Sequence, residues 1–164
     1  FRRVLFRSAA MLRFLYLIGS GLQWELTPVL WTIIVLTMLV GTVVGLVQTD
    51  IKRLLAYSSV AHAGFILVGL IAFDRSGVSA VTFYVAAYGF ATIAAFGLVM
   101  LVRSGGSEAT HLGQWAGLGK QSPVVAGAMA VLLLAFAGIP LTSGFTAKFA
   151  VFAAAPRAEM DFIN

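Results

Sequence analysis

The chain has no cysteine, and that absence removes disulfides, thiolate-bound zinc and iron–sulfur clusters from consideration. Histidine is nearly as scarce: His62 and His111 are the only two, too few for a histidine-built metal or haem site. Only 10% of the residues are charged, and the six acidic ones (Glu25, Asp50, Asp74, Glu108, Glu159 and Asp161) all fall in loops or at the ends of apolar stretches. The sequence offers no carboxylate pair, catalytic triad or phosphate-binding glycine loop. It is therefore expected to act without a redox centre, a cofactor, a metal or an active site of its own.

What is present is apolar. Hydrophobic residues make up 60% of the 164, and mean hydropathy is +0.99. A water-soluble domain of this length has too small a core to hide so much apolar side chain. The sequence is that of an integral membrane protein. The formal charge of +5 owes three units to Arg2, Arg3 and Arg7 in FRRVLFRS. That octapeptide resembles the in-frame translation of a sequencing adapter, so residues 1–8 are read as a non-native leader and the basic N-terminus carries no message about nucleic acid. With no starting Met and an abrupt stop in PRAEMDFIN, the chain reads as an internal fragment.

Crossing the hydrocarbon core takes about 20 apolar residues in a helix. Spans are read at 26–49, 54–73, 76–102 and 121–155, with a partial span at 9–22, an interfacial loop at 103–120 and a truncated loop from 156 to 164. The expected fold is all-α, a polytopic transmembrane helix bundle of about four full spans plus one truncated, the last helix discontinuous. Short connections make neighbours antiparallel. Lys52, Arg53, Arg103 and Lys120 lie on one side and Arg75 and Arg157 on the other, which makes loops 50–53 and 103–120 the cytoplasmic ones. Within the long loop, Leu112, Trp115 and Leu118 have helical spacing; a short interfacial helix and an irregular linker with a Trp anchor both fit.

The stretch LLLAFAGIPLTSGFTAKFAVF (Leu132–Phe152) breaks the apolar pattern with Gly138, Pro140 and Gly144, then places Lys148 far from either end of the run. Proline removes a backbone donor and clashes with the carbonyl a turn earlier, so a break is expected around 137–143. Thr142 and Ser143 supply hydroxyls beside it. Residues 123–152 would extend about 45 Å as one helix, against a core of about 30 Å, which suits two half-helices. An ionisable residue at membrane depth is a functional hypothesis by default, and broken helices beside one are a common construction of ion pathways. The competing readings are a structural kink and a lysine that snorkels to the interface.

A second cluster lies in QTDIKRLLAYSSVAHAGF. Asp50 is placed to cap the helix, with Lys52 and Arg53 at the interface. His62 lies roughly 15 Å deeper, with Ser58 and Ser59 a turn before it. A neutral imidazole passes a proton by accepting at one nitrogen and donating at the other; a core histidine bonded to a neighbouring helix fits equally. In the next span Tyr84, Tyr88 and Thr92 recur every four residues, a hydroxyl stripe suited to ordering water or to bonding between helices.

Taken together, QTDIKRLLAYSSVAHAGF followed by LAGIPLTSGFTAKFAVF resembles the antiporter-like membrane subunits of respiratory complex I, and within them the subunit N branch of bacterial NADH-quinone oxidoreductases. The resemblance covers the chain from Ala9 onward. It implies two inverted five-helix repeats with a central lysine on each broken helix, and proton translocation driven by quinone reduction elsewhere in the complex. Lys148 matches the lysine of the second broken helix, Lys52 that of the QTxxKR motif, and His62 a polar position on the tenth helix. Relatives with His and Lys on the eleventh helix contrast with Tyr88 and Thr92 here, so water is expected to complete any path through that helix. The resemblance further implies NADH, FMN, iron–sulfur and quinone sites in other subunits, other complex I membrane subunits and the lipid bilayer as partners, and a bacterial inner (plasma) membrane location. A multisubunit cation/proton antiporter and a purely structural membrane scaffold remain as alternatives.

Overall fold

Runs of Leu, Val, Ile and Ala without charge leave the backbone no partner but itself in lipid, so they close as helices. A computed structural model describes Ala10 and residues 23–71, 75–104 and 106–160. The leader at 1–8, the partial span read at 9–22 apart from Ala10, and Asp74 and Asp161 lie outside the described residues. The elements are α1 (Gln23–Leu46), α2 (Ile51–Ile71), α3 (Arg75–Leu101), β1 (Arg103–Ser104), β2 (Ser107–Glu108), a 3-10 turn (Leu112–Trp115), α4 (Leu118–Gln121), α5 (Pro123–Ala137) and α6 (Ser143–Met160). The protein is an all-α membrane helix bundle whose last long helix is interrupted between Ala137 and Ser143. Among the described helices, α1, α2 and α3 are long and apolar enough to cross a membrane.

The helix α2 is central. Half of its apolar stretch is buried, against 17% for α1. Lipid supplies no hydrophobic force between helices, so close backbone approach and van der Waals contact must hold them together. Small residues allow it: a Cβ on Gly41 would stand 2.5 Å from the Ala61 amide nitrogen, and Gly64 lies against the Met38 side chain. One packed cluster joins Leu30 and Ile34 of α1, Ile66, Val68 and Leu70 of α2, Val81 and Tyr84 of α3, and Ala147 and Val151 of α6. A second, nearer the long loop, joins Ile51, Leu55, Ala95, Val99 and Met129 with Trp115 against it. Hydroxyls on the exposed face of α1 are satisfied internally, as in Thr37 donating to the Ile33 carbonyl at 2.6 Å.

The segment 103–120 follows one of its two readings, the irregular one, and the segment after 155 departs from expectation. The loop from 103 to 120 does not form a single interfacial helix. It is a tight β-hairpin, pairing Arg103 with Glu108 and Ser104 with Ser107, then a 3-10 turn and the four-residue α4. Gly117, at φ +84°, separates those two turns, so Leu112, Trp115 and Leu118 share helical spacing without sharing a helix. The segment from 156 is also not a loop at its start, because α6 continues through Pro156 to Met160. Proline costs a helix one hydrogen bond, but its fixed φ is itself helical and does not compel a terminus. The remaining boundaries move by a few residues: α1 stops at Leu46, while α2 and α3 start early enough to take Lys52, Arg53 and Arg75 into their first turns.

Candidate functional site

The last four carbonyls of any α-helix lack an internal partner, so at the end of α5 each must be accounted for. Gly138 turns into the left-handed region at φ +77°, which glycine enters without a Cβ penalty. Its N–H then donates to the Ala135 carbonyl at 3.1 Å, and the Ile139 N–H reaches the Leu134 carbonyl at 3.3 Å. This is the paired closure of a Schellman motif. Pro140 follows where the helix has already ended, so glycine makes the break and proline prevents its repair.

The two carbonyls left over belong to Phe136 and Ala137. Lys148, six residues into α6, folds back and donates from Nζ to both, at 2.9 and 3.0 Å. The ammonium thus stands at the negative end of the α5 dipole, where a cation is favoured. It also stands over the Phe65 ring, 4.7 Å from Nζ to centroid. Gly138 makes room, since a Cβ there would lie 2.9 Å from Lys148 Cδ. Gly144 does the same for the backbone: a Cβ would collide with the Ala135 carbonyl, so only glycine lets the two half-helices cross this closely. On the α6 side, Thr142 caps the helix, its Oγ1 accepting from the Phe145 N–H at 3.4 Å while donating to the Ile139 carbonyl at 2.7 Å.

Beside the break is a cavity of about 20 Å³, room for roughly one water, walled by His62, Tyr84, Tyr88, Phe136, Ser143 and Gly144. His62, 6% exposed, meets the Tyr84 hydroxyl through Nδ1 at 2.5 Å. Either the phenol donates to Nδ1 or Nδ1–H donates to the phenol oxygen; the two are tautomers of a neutral imidazole, with the phenol keeping its own proton in both. Tyr88 stacks on the imidazole, ring centroids 4.2 Å apart, and Phe136 meets it edge-on at 5.8 Å. The buried Tyr88 hydroxyl has no hydrogen-bond partner among the described residues. Near it lie the hydroxyls of Ser58, Ser59 and Thr92, each donating to a carbonyl of its own helix.

The break therefore brings Lys148, His62, Tyr84, Tyr88, Gly138, Thr142, Ser143 and Gly144 together, with Ser58, Ser59 and Thr92 next along. Pro140 forms the turn. Lys52 is not in this group: it lies at the start of α2, ion-paired with Glu108, both side chains nearly two-fifths exposed. Hydrogen bonding from Lys52 holds the Glu108 carboxyl below its ordinary range, and the Arg53 backbone N–H does the same for Asp50. Loops 50–53 and 103–120 meet on one side, through Ile51 N–H to the Thr110 carbonyl (2.8 Å) and Leu112 N–H to the Thr49 carbonyl (2.9 Å).

Sequence reasoning missed Phe65, Phe136 and Glu108. Phe65, three residues after His62, shares its helix face, a spacing that was available as a signal. Nothing in the sequence pairs Glu108 with Lys52, because 56 residues separate them.

The transmembrane family described as NADH:quinone oxidoreductase/Mrp antiporter matches residues 7–164. Among individual relatives, NADH-quinone oxidoreductase subunit N 3 of Streptomyces griseus subsp. griseus is 62% identical over 146 residues, 89% of this chain and 26% of the relative. NADH-quinone oxidoreductase subunit N of Salinispora arenicola is 60% identical over 146 residues, 89% of this chain and 28% of the relative. The protein of the same name from Mycobacterium bovis is 56% identical over 153 residues, 91% of this chain and 29% of its own length. The chain spans just over a quarter of the length of these relatives.

Proposed function

The chain belongs to the NADH:quinone oxidoreductase/Mrp antiporter transmembrane family, and from that membership we propose that it forms part of a proton-translocating membrane subunit of an NADH:quinone oxidoreductase. NADH, FMN, iron–sulfur and quinone chemistry belongs to other subunits. This chain's partners are neighbouring antiporter-like membrane subunits and the bilayer of a bacterial inner membrane, with loops 50–53 and 103–120 facing the cytoplasm. The names of the relatives favour this reading over a free-standing antiporter.

The observation that carries the mechanism is Lys148 on the two spare carbonyls of α5. A lysine buried in lipid without partners is costly; here the carbonyl dipoles and the Phe65 face stabilise its ammonium in the membrane. A charge arriving nearby shifts that balance and drives the proton off or back on. The released proton has the His62–Tyr84 pair and a water-sized cavity beside it. Ser58, Ser59, Thr92 and Tyr88 extend the polar route toward Lys52, which in this reading exchanges the proton with the cytoplasmic side. Quinone reduction elsewhere supplies the changing charge, so no ligand needs to bind here.

The test is Lys148→Met in the full-length subunit of the assembled complex. Assembly and electron transfer to quinone are expected to persist while protons moved per electron fall. An unchanged proton-to-electron ratio refutes the role of Lys148. Cation-dependent proton flux in vesicles lacking NADH and quinone would instead assign the antiporter function.

A further inference from the structure

Helix α2 begins with a sign conflict. Lys52 and Arg53 occupy its first turn, where the unpaired N–H groups already present positive partial charge. Asp50 answers part of this, but its carboxylate is committed to the backbone, accepting from the Lys52 N–H at 2.9 Å and the Arg53 N–H at 3.1 Å. The Lys52 ammonium is met by Glu108 instead.

Glu108 does not reach Lys52 from a loose loop. The β1–β2 hairpin starts two residues after α3 ends, and the residues following Glu108 are fixed in sequence. Ala109, fully buried, donates to the Val102 carbonyl at 3.0 Å and accepts from Trp115 Nε1 at 2.8 Å. Thr110 and Leu112 then bond to Ile51 and Thr49 on either side of Asp50. The same backbone that delivers Glu108 is thereby hydrogen-bonded to the helix start that bears Lys52. Of the other charged or titratable groups here, Arg103 is the cross-strand partner of Glu108, and His111 is tied into its own turn by Gly113 and Gln114.

We infer that Glu108 is the positioning residue for Lys52, holding its ammonium at a fixed place on this face of the bundle. The inference rests on the proposed proton-translocating role of Lys52. Since both side chains are partly in water, the pair adds little to folding, and its value lies in where it holds the lysine.

Three measurements on the full-length subunit in assembled complex test this. Zero-length carbodiimide coupling followed by peptide mass spectrometry reads the pairing independently of any activity; a Lys52–Glu108 amide is expected, and its absence overturns the pairing. Proton translocation per electron is then compared for Glu108→Gln, Lys52→Met and the double variant, with complex abundance measured in each. Both single variants are expected to lower the ratio by a similar factor, the double variant to fall no further than the worse single, and Glu108→Asp to recover most of it. A normal ratio in Glu108→Gln alongside a lowered one in Lys52→Met overturns positioning. If the cross-link forms but Lys52→Met translocates normally, the role of Lys52 fails and the inference falls with it, while the pairing stands.

Discussion

Replacing Gly138 by Ala attacks the break at its narrowest point. Two separate costs follow from the geometry. A Cβ at φ +77° carries the left-handed penalty, about 1–2 kcal/mol. The same Cβ would also lie 2.9 Å from Lys148 Cδ and 3.1 Å from Nζ, whereas carbon atoms in contact prefer about 3.5–4.0 Å. Lys148 must retreat by several tenths of an ångström, and bonds to charged donors, each worth about 1.5–3 kcal/mol, begin to fail. Hydrogen–deuterium exchange at Gly138 and Ile139 reads the first cost directly, since their N–H groups make the Schellman bonds. A penalty of about 1–2 kcal/mol predicts exchange faster by about 5- to 30-fold through local opening. Proton translocation per electron reads the second and is expected to drop. Gly138→Asn separates them, because Asn tolerates the left-handed region yet still brings a Cβ against Lys148. Normal exchange and normal translocation in Gly138→Ala would refute the view that this glycine makes room for the lysine.

Four further outcomes follow. Gly41→Ala is expected to destabilise the α1–α2 contact by about 1–3 kcal/mol through overpacking against Ala61, read as a lower thermal midpoint of the purified complex. Gly97→Ala, with nothing among the described residues within 4 Å of its Cβ, should be neutral or stabilising by up to about 1 kcal/mol. Leu141 sits at φ 81° with its side chain wholly exposed, so Leu141→Gly should leave the midpoint unchanged or raise it; a clear fall would mean the leucine is covered in the assembled protein. Finally, Asp50 and Glu108 both have carboxyls held below their ordinary range, so the stability they contribute is complete above that range and is lost as pH falls through the lowered values. Exchange protection of the Ile51 and Leu112 amides should therefore stay constant from neutral pH down to about 5 and decline only below the ordinary carboxylate range near 4.

Hydropathy made the long helices legible, since a run such as Leu26–Thr49 has no alternative in lipid. The break was legible from Gly138, Pro140 and the excess length of the run. Its chemistry was only half so: the sequence shows a lysine near a gap, but that Lys148 turns back onto α5 depends on the crossing allowed by Gly144. The loop was least legible. Its hairpin has two residues per strand, too few for a period, and its contacts with Thr49 and Ile51 join segments about 60 residues apart. The start-of-helix place of Lys52 was legible, but its pairing was not, because its partner arrives from the far end of α3.

Lys148 grows from one half-helix and fastens to the other, so it is a mechanical strut as well as the proton carrier proposed above. An ammonium has three N–H groups and the strut uses two, one for each carbonyl. Loss of a proton removes the third and leaves two, so a neutral amine keeps enough donors for both attachments. The charge at the centre of the broken helix can therefore be switched without unfastening its halves. An arrangement of this kind changes the electric field around it at every turnover while asking the backbone to move little.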